Sequence, residues 1–267
     1  MSIAKRTSLR SLILSLVRRE VTGRYRGSAF GMLWSLLTPL FMLAVFTFVF
    51  GYVMKSRWQI PGAAPTEHST AEFAVILFAG LLVNQFFSEV LSGAPGLIVG
   101  NGNYVKKIVF PIQILPIVSV GAALFHVLVS LLVLLGFVWV VFGLSWTVLL
   151  TPVVLAPLAV LTLGLAWFLA SIGVYFRDIG QIVPPVLTAV MFLSPMFFPR
   201  TALPEWLQPY LSFNPLTIPI EAVRDVAVFG VMPDWTALGY YSLAALLVAL
   251  LGEQFFQKTR RGFADVL

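Results

Sequence analysis

The longest charge-free interval in the sequence sets the architecture. Between Lys107 and Arg177 there is no Lys, Arg, Asp or Glu. A helix needs roughly 20 apolar residues to cross the hydrocarbon core of a bilayer, so this interval can hold two crossings joined at the turn-like segment Gly143 to Thr147. Only 10% of all residues are charged, whereas soluble domains carry about 25%. We therefore predict a polytopic membrane protein.

Shorter charge-free intervals supply the other crossings. We expect an all-α integral membrane protein with six transmembrane helices, an N-terminal amphipathic interface helix and two short re-entrant helices between helices five and six. The predicted divisions are an N-terminal tail at 1–29, a six-helix domain at 30–256 and a C-terminal tail at 257–267. The six spans lie at about 30–54, 73–91, 109–142, 147–174, 179–198 and 235–254, with an outer gate hairpin at 199–234.

The distribution of basic residues predicts the orientation, because short basic loops stay on the cytoplasmic side of the membrane. With the N-terminus inside, all but four of the 17 Lys and Arg residues are cytoplasmic. The four exceptions are Lys55, Arg57, Arg200 and Arg224. Both termini are therefore predicted to be cytoplasmic.

Composition also excludes several classes of function. The net charge of +6 fits anionic lipid headgroups, and no soluble basic face is expected that would bind nucleic acid. With no cysteine, the chain has no disulfide framework and no thiolate metal site. The first apolar run is too long for a signal-peptide core, so we expect it to remain as a membrane anchor.

An amphipathic helix is predicted ahead of the first crossing. Its apolar positions recur with helical spacing, and the opposite face carries arginines, so the helix should lie in the membrane interface. The apolar stripe consists of Leu9, Leu12, Ile13, Leu16, Val17 and Val21.

The sequence Arg24-Tyr25-Arg26 follows this helix and is bracketed by Gly23 and Gly27. It forms the corner between a surface helix and a spanning helix. One interpretation is that its arginines only fix topology and bind anionic lipid. The other is that the guanidinium groups bind the phosphates of a lipid-linked pyrophosphate that enters at this corner.

Four segments resemble the membrane subunit of type-2 ABC exporters, in particular the O-antigen and polysaccharide export permeases (Wzm-like), which are related to capsule and teichoic acid export permeases. The segments are RREVTGRYRGSAFGMLWSLLTPL, NGNYVKKIVFPIQILP, YFRDIGQIVPPVL and SPMFFPRTALPEWLQPYLSFNPLTIPIEAVRD. The resemblance implies a homodimeric channel with six helices in each subunit. It also implies two copies of a separate nucleotide-binding ATPase on the cytoplasmic face.

The chain itself has no phosphate-cradling GxxxxGK[ST] motif. We therefore expect a non-catalytic transport subunit that binds no cofactor or metal, with ATP and Mg²⁺ bound by the ATPase partner.

Cytoplasmic residues are candidates for coupling to the ATPase. The resemblance favours this role for the loop around Asn103, although an ordinary basic turn or a plain interfacial turn is the alternative interpretation for each loop. The coupling candidates are Arg18, Arg19, Glu20, Asn103, Tyr104, Lys106, Lys107, Arg177 and Asp178.

The segment 199–234 is too apolar for a solvated loop, and irregular backbone at membrane depth survives only in protein or beside a wet cavity. We therefore predict that it closes the outer mouth of the channel. Glu221 and Asp225 can form a local ion pair with Arg224, although these residues can also simply reach the outer headgroups. The gate candidates are Trp206, Tyr210, Asn214, Glu221 and Arg224.

Polar and aromatic side chains within the spans are candidates for a polysaccharide path. Buried polar groups need partners and should face the helix bundle or a water-filled path, and aromatic faces suit sugars. The candidates are Trp34, Phe41, Phe46, Phe48, Asn84, Gln85 and Ser88. Glu89 is the only acid well inside a span, and His126 is interpreted as a packing histidine.

These features favour a subunit of an ATP-driven exporter in the bacterial inner membrane. Its expected cargo is an undecaprenyl-type lipid-pyrophosphate-linked polysaccharide of the O-antigen type, moved from the cytoplasmic to the periplasmic side. Capsular polysaccharide, teichoic acid, lipooligosaccharide or a drug are alternative cargoes. A membrane-embedded glycan-lipid enzyme and an ion-coupled carrier are more distant alternatives, because paired catalytic carboxylates, a His cluster and internal repeats are absent from the sequence.

The predicted orientation can be tested by labelling. The chain has no cysteine, so a single cysteine introduced at Ser15 gives a background-free site. A membrane-impermeant maleimide should label it in inside-out vesicles and not in intact spheroplasts, because short basic segments remain cytoplasmic. Labelling in spheroplasts would contradict the predicted topology.

Overall fold

The computed structural model describes residues 9–53, 70–105, 110–206 and 208–266, and in these ranges all regular elements are helices. Charge-free apolar runs form long helices because only a helix satisfies the backbone within one segment in lipid. The α-helices are α1 Leu9–Arg24, α2 Trp34–Phe46, α3 Thr70–Gly93, α4 Gly102–Val105, α5 Ile114–Val141, α6 Thr151–Tyr175, α7 Ile179–Phe192, α8 Gln208–Leu211, α9 Thr217–Arg224, α10 Trp235–Thr259 and α11 Phe263–Val266.

Within these described ranges, five helical stretches are long and apolar enough to cross a membrane. Four of them are α3, α5, α6 and α10 with their flanking turns, and the first combines α2 with the turns on either side. Their bounds are Gly31–Val53, Ala71–Gly96, Ile114–Val141, Trp146–Tyr175 and Trp235–Gly262. Five of the six predicted crossings thus have helices of sufficient length.

The predicted fifth span, 179–198, is shorter than expected. Helix α7 covers only Ile179–Phe192, which at 1.5 Å per residue is about 21 Å long, less than the roughly 30 Å hydrocarbon core. The chain turns at Leu193 and Ser194 and then meets Pro195, which has no N–H to continue a helical ladder. The six-helix count therefore remains a prediction.

Helix α3 is the centre of the bundle. It contacts α5, α6, α7 and α9, and nearly three quarters of its apolar span is buried, whereas the spans of α5, α6 and α10 are about one third buried or less. Lipid offers no hydrophobic driving force between helices, so this burial reflects packing and polar contacts. Helix α3 is therefore the most buried of these helices, whereas α5, α6 and α10 keep wide lipid-facing surfaces.

Helices α6 and α10 form the most extensive helix pair and cross at two glycines. A Cβ atom on Gly252 would lie 2.1 Å from the carbonyl oxygen of Gly164, and a Cβ atom on Gly164 would lie 2.6 Å from the Cα of Ala249. Only glycine permits this backbone-to-backbone approach, which is the usual device for tight helix packing in membranes.

Helix α1 lies along α5 rather than standing apart from the bundle. Val21 is buried, and Leu12, Ile13, Leu16 and Val17 of the predicted apolar stripe are half-buried, whereas Leu9 is exposed. Val17 packs on Gly121, where an added Cβ would lie 2.8 Å from its Cγ2. The amphipathic helix is confirmed, and its apolar face is partly covered by protein.

The outer hairpin differs from its prediction in its first half. The expected first helix is a single turn, α8, because Pro204 and Pro209 interrupt the segment. The second half is helical as predicted, since α9 continues as a π-helical stretch, Asp225–Phe229. Its predicted apolar face is buried and consists of Ile220, Val223, Val226 and Ala227. Whether the hairpin re-enters the membrane remains a prediction.

The last residues are docked on the bundle instead of forming a free tail. Helix α10 continues to Thr259, and Phe263 is fully buried against Phe256. The Tyr175 hydroxyl donates a hydrogen bond to the Thr259 carbonyl at 2.9 Å. Arg260 Nη1 donates to Gln113 Oε1 at 2.6 Å. The predicted boundary at residue 257 therefore falls inside a helix.

Replacing Gly252 by alanine tests the α6–α10 crossing. The added methyl group meets only backbone atoms of α6, so Gly252→Ala should lower the free energy of unfolding by about 1–3 kcal/mol, as overpacking does. The measurement is thermal or SDS-induced unfolding in micelles. Gly239→Ala on the same helix is the control, because nothing lies within 4 Å of its added Cβ. Equal stability of the two variants would contradict the crossing.

Candidate functional site

Four polar side chains from three helical segments meet beside the N-terminal corner. We call Arg24, Tyr25, Glu89 and His126 the corner cluster. The Arg24 Nη1 group forms an ion pair and hydrogen bond with Glu89 Oε1. His126 Nδ1 lies 2.7 Å from the same oxygen, and the Tyr25 hydroxyl lies 3.1 Å from His126 Nε2. Glu89 Oε1 is therefore shared by an arginine and a histidine.

Local structure explains how these residues meet. Helix α1 ends at Arg24 in a turn, in which the Arg26 N–H bonds to the Gly23 carbonyl and Gly27 adopts a φ of +87°. This left-handed conformation is strained for residues with a Cβ. Packing of α1 on α5 places the turn over His126, and α3 brings Glu89 from the other side.

The proton positions in the cluster follow from its geometry. A carboxylate only accepts hydrogen bonds, so His126 must donate from Nδ1 to Glu89. A neutral imidazole then has a lone pair on Nε2, which accepts from the Tyr25 hydroxyl. The Arg24 Nη1 to His126 Nδ1 separation of 3.2 Å is a contact between two donors that serve one oxygen. The three segments are therefore joined by a directed network.

Exposure differs sharply across the cluster. The His126 and Glu89 side chains are 7% and 16% exposed, whereas the Arg24 side chain is 53% exposed. Within the described residues, the polar contacts of the Arg24 guanidinium involve Nη1, so its Nε and Nη2 donors are available. The carboxylate is thus largely covered by protein and the guanidinium is half-exposed, and both groups border one cavity.

Glu20 adds a second carboxylate near the cluster, one turn earlier on α1. Partial burial and then the charge of Glu89 raise the pKa of Glu20, and the charges of Arg24 and His126 oppose this only in part. The ordinary cause is that a carboxylate loses hydration and meets a like charge. The carboxylates near the cluster therefore come from two helices, Glu89 from α3 and Glu20 from α1.

A cavity of about 490 Å³ lies next to Arg24, which forms part of its wall. Polar side chains of α3 line it, together with residues of α2 and α7. Five of the predicted site residues border it: Arg24, Phe46, Asn84, Gln85 and Ser88. The three polar path candidates of the second span and the basic residue Arg24 therefore border one open space.

The other path candidates on the first span lie elsewhere. Trp34 and Phe41 are exposed on its outer surface, with Trp34 in edge contact with Phe30. Phe48 stacks on Tyr52 and borders a separate groove with Phe137. Only Phe46 of the four aromatic candidates borders the cavity that holds Arg24.

The coupling candidates fall into two groups. Arg18, Arg177, Asp178 and Asn103 are exposed, and Arg19 and Glu20 border a smaller cavity of about 240 Å³ between α1 and α5. Tyr104 belongs to α4, but its side chain lies outside the described residues, as do Lys106 and Lys107. All described candidates are therefore accessible or border a cavity, as contact with a partner requires.

The outer hairpin is held by a buried arginine. Arg224 is 3% exposed and donates from Nε to the Ile76 carbonyl at 3.0 Å, from Nη1 to Pro195 at 2.6 Å and from Nη2 to Met196 at 2.7 Å. These bonds to carbonyl oxygens, rather than only a local ion pair with Glu221, fix the guanidinium. Arg224 therefore ties α9 to α3 and to the turn after α7.

Other gate candidates have different environments. Asn214 donates to the Val190 carbonyl at 2.8 Å and accepts from the Leu216 N–H at 2.9 Å, so it fixes the bend before α9. Trp206 and Tyr210 are exposed, and Glu221 is half-buried. The five gate candidates thus comprise two residues fixed by hydrogen bonds, two exposed aromatic residues and the half-buried Glu221.

The corner cluster as a unit is not predicted by the sequence. Arg24 and Tyr25 are predicted at a membrane corner, Glu89 is an acid inside a predicted span, and His126 is predicted to be a packing histidine. The available signal was that two polar side chains within apolar spans each need a partner. Within the described residues, there is no group of three or more His, Cys, Asp or Glu that could hold a metal ion.

Comparisons with known proteins give the sequence context. The ABC-2 type transporter family model matches residues 11–228. The chain is 32% identical over 262 residues to the O-antigen export system permease protein RfbA of Myxococcus xanthus, covering 96% of this chain and 95% of that protein. A protein of the same name from Klebsiella pneumoniae is 25% identical over 260 residues, with the same coverage. The polysialic acid transport protein KpsM of Escherichia coli is 26% identical over 255 residues, which is 91% of each chain.

Proposed function

Since this chain belongs to the ABC-2 type transporter membrane family, we propose that it exports a lipid-pyrophosphate-linked polysaccharide of the O-antigen type. It is a multi-pass membrane protein of the bacterial inner membrane and a permease subunit for O-antigen or polysaccharide. The proposal adds the lipid-linked form of the cargo and its direction, from the cytoplasmic to the periplasmic side.

The observation that carries the proposal is the position of Arg24 on the wall of the 490 Å³ cavity. A guanidinium with free donors suits a diphosphate, which accepts paired hydrogen bonds. Asn84, Gln85 and Ser88 line the same space and supply donors and acceptors for hydroxyl groups, while Phe46 supplies an aromatic face. One cavity therefore combines the chemistry required by a phosphate and by a sugar.

A second copy and a separate motor complete the proposed transporter. In this proposal two copies of the chain form the channel, and two ATPase subunits bind ATP and Mg²⁺ on the cytoplasmic face. The first span has the least buried surface of the five, with 12% buried, and offers a large apolar face for association. The exposed charged residues Arg18, Arg177 and Asp178 suit contact with the ATPase.

A capsular polymer is the second candidate cargo, and the similarity to KpsM favours it. Both cargoes are long polar chains, so the cavity chemistry serves either of them. The O-antigen assignment is preferred because the relative with higher identity, 32% against 26%, carries that name. Export assays in a strain that makes only one of the two polymers separate the candidates.

The double variant Arg24→Ala with Arg26→Ala tests the basic corner. Each lost charge-assisted hydrogen bond contributes about 1.5–3 kcal/mol, so the lipid-linked glycan concentration that half-saturates ATP turnover should rise about ten-fold or more. The measurement is ATP turnover of the assembled complex in proteoliposomes, with membrane insertion and dimer formation unchanged.

Arg10→Ala is the matched control for this double variant, because Arg10 is exposed at the other end of α1. It removes a basic charge from the same helix and should leave the half-saturating concentration near the wild-type value. If the double variant behaves like the control, the corner arginines serve only topology and lipid binding.

The proposed aromatic path predicts different losses of export for two phenylalanine variants. Phe46 borders the cavity, whereas Phe48 faces a separate groove. Phe46→Ala should therefore lower the polymer that reaches the cell surface more than Phe48→Ala does, by about three-fold or more if one sugar-stacking contact of about 1 kcal/mol is lost. Surface polymer is measured by antibody binding at equal protein levels. Equal export from both variants would remove Phe46 from the path.

A further inference from the structure

The corner cluster contains more than a phosphate site requires. An arginine that only binds phosphate needs neither a buried carboxylate nor a buried histidine beside it. Ionisable groups inside an apolar span are costly and are retained for a purpose. Glu89 and His126 are both largely buried, and His126 shares Glu89 Oε1 with Arg24. These two residues are the unexplained part of the site.

The arrangement gives Arg24 an anionic partner from within the chain. Glu89 holds Nη1 of Arg24 and borders the same cavity. A diphosphate that approaches the available Nε and Nη2 donors therefore meets a neutralised guanidinium and a like charge until the carboxylate is displaced. We propose that Glu89 is an internal counter-anion that the lipid diphosphate must displace from Arg24, and that His126 holds Glu89 after the exchange. This inference rests on the proposed function, because it assigns further residues to the same headgroup site.

His126 is placed to make the exchange feasible. Its Nδ1–H already bonds to Glu89 at 2.7 Å, so the carboxylate keeps one strong partner when Arg24 turns towards the cavity. Without that partner, release of Arg24 would leave a buried carboxylate unpaired, which is strongly unfavourable. Tyr25 holds the other ring nitrogen at 3.1 Å and keeps the Nδ1–H directed at Glu89. His126 and Tyr25 are positioning residues in this scheme.

The exchange also joins binding to movement of the interface helix. Arg24 ends α1, whereas Glu89 and His126 belong to the spans α3 and α5. Loss of the Arg24 to Glu89 bond releases one of the ties between α1 and α3. Headgroup binding would thus loosen α1 at the membrane face where an ATPase would dock.

Two variants of the cluster should change affinity in opposite directions. Glu89→Gln keeps the shape but removes the competing charge, so the half-saturating concentration of undecaprenyl diphosphate should fall about five-fold. His126→Leu leaves Glu89 with Arg24 as its partner, so that concentration should rise about three-fold. A purely structural role for the two residues predicts weaker binding or poorer assembly for both variants.

The experiment uses the full permease and ATPase complex in nanodiscs, with undecaprenyl diphosphate as the probe. Occupancy is measured by native mass spectrometry and ATP turnover in parallel. Glu72→Gln is the matched control, because it makes the same change on α3 about 25 Å from Glu89 by helical rise. It should leave the half-saturating concentration unchanged. Assembly is checked by size-exclusion chromatography, and Glu89→Ala, which also removes the competing charge and should bind the probe more tightly, carries the test if Glu89→Gln does not assemble.

The outcomes separate this inference from the proposed function. If wild-type complex neither binds undecaprenyl diphosphate nor responds to it, the lipid-diphosphate function is wrong and the inference falls with it. If wild type responds but Glu89→Gln binds no more tightly, or His126→Leu binds no more weakly, only the counter-anion role is overturned. An equal response to phosphatidylglycerol would assign the site to general anionic lipid and would also overturn it.

Discussion

The cost of placing charge next to hydrocarbon governs this structure. The spans contain few ionisable groups, and both Glu89 and His126 within them and Arg224 in the outer hairpin are hydrogen-bonded. Glu89 is shared by Arg24 and His126, and Arg224 is surrounded by three carbonyl oxygens. Each arrangement offsets the desolvation of a charge with directed hydrogen bonds. Both also join segments that are distant in the chain, so the same bonds that satisfy the charges define the packing.

These two charge sites lie at opposite ends of α3 and give the helix its central role. The corner cluster ties the C-terminal end of α3 to α1 and α5, while Arg224 ties the N-terminal half of α3 to the outer hairpin through Ile76. Between them, Asn84, Gln85 and Ser88 face the cavity. A helix that is fixed at both ends and polar on one side in the middle can support a path without losing its position.

Glycines and prolines determine how the other helices meet this centre. Gly164 and Gly252 allow α6 and α10 to touch through their backbones, and Gly121 accepts Val17 of the interface helix. Pro195 follows the turn that ends α7 early, and the prolines of the outer hairpin reduce its first predicted helix to one turn. Predictions from length and apolar character made α7 and the first helix of the outer hairpin too long. These two properties do not take account of the backbone N–H that each proline lacks.

The sequence by itself determined the class of protein, five of the crossing helices, the amphipathic helix and the polar side of α3. These features follow from charge-free length and helical periodicity, which are local properties of the chain. Only the tertiary structure decided that Glu89 and His126 join Arg24, because these residues are separated by 65 and 102 positions in the chain. Which polar groups meet depends on the register between packed helices, and contacts such as Val17 on Gly121 set that register.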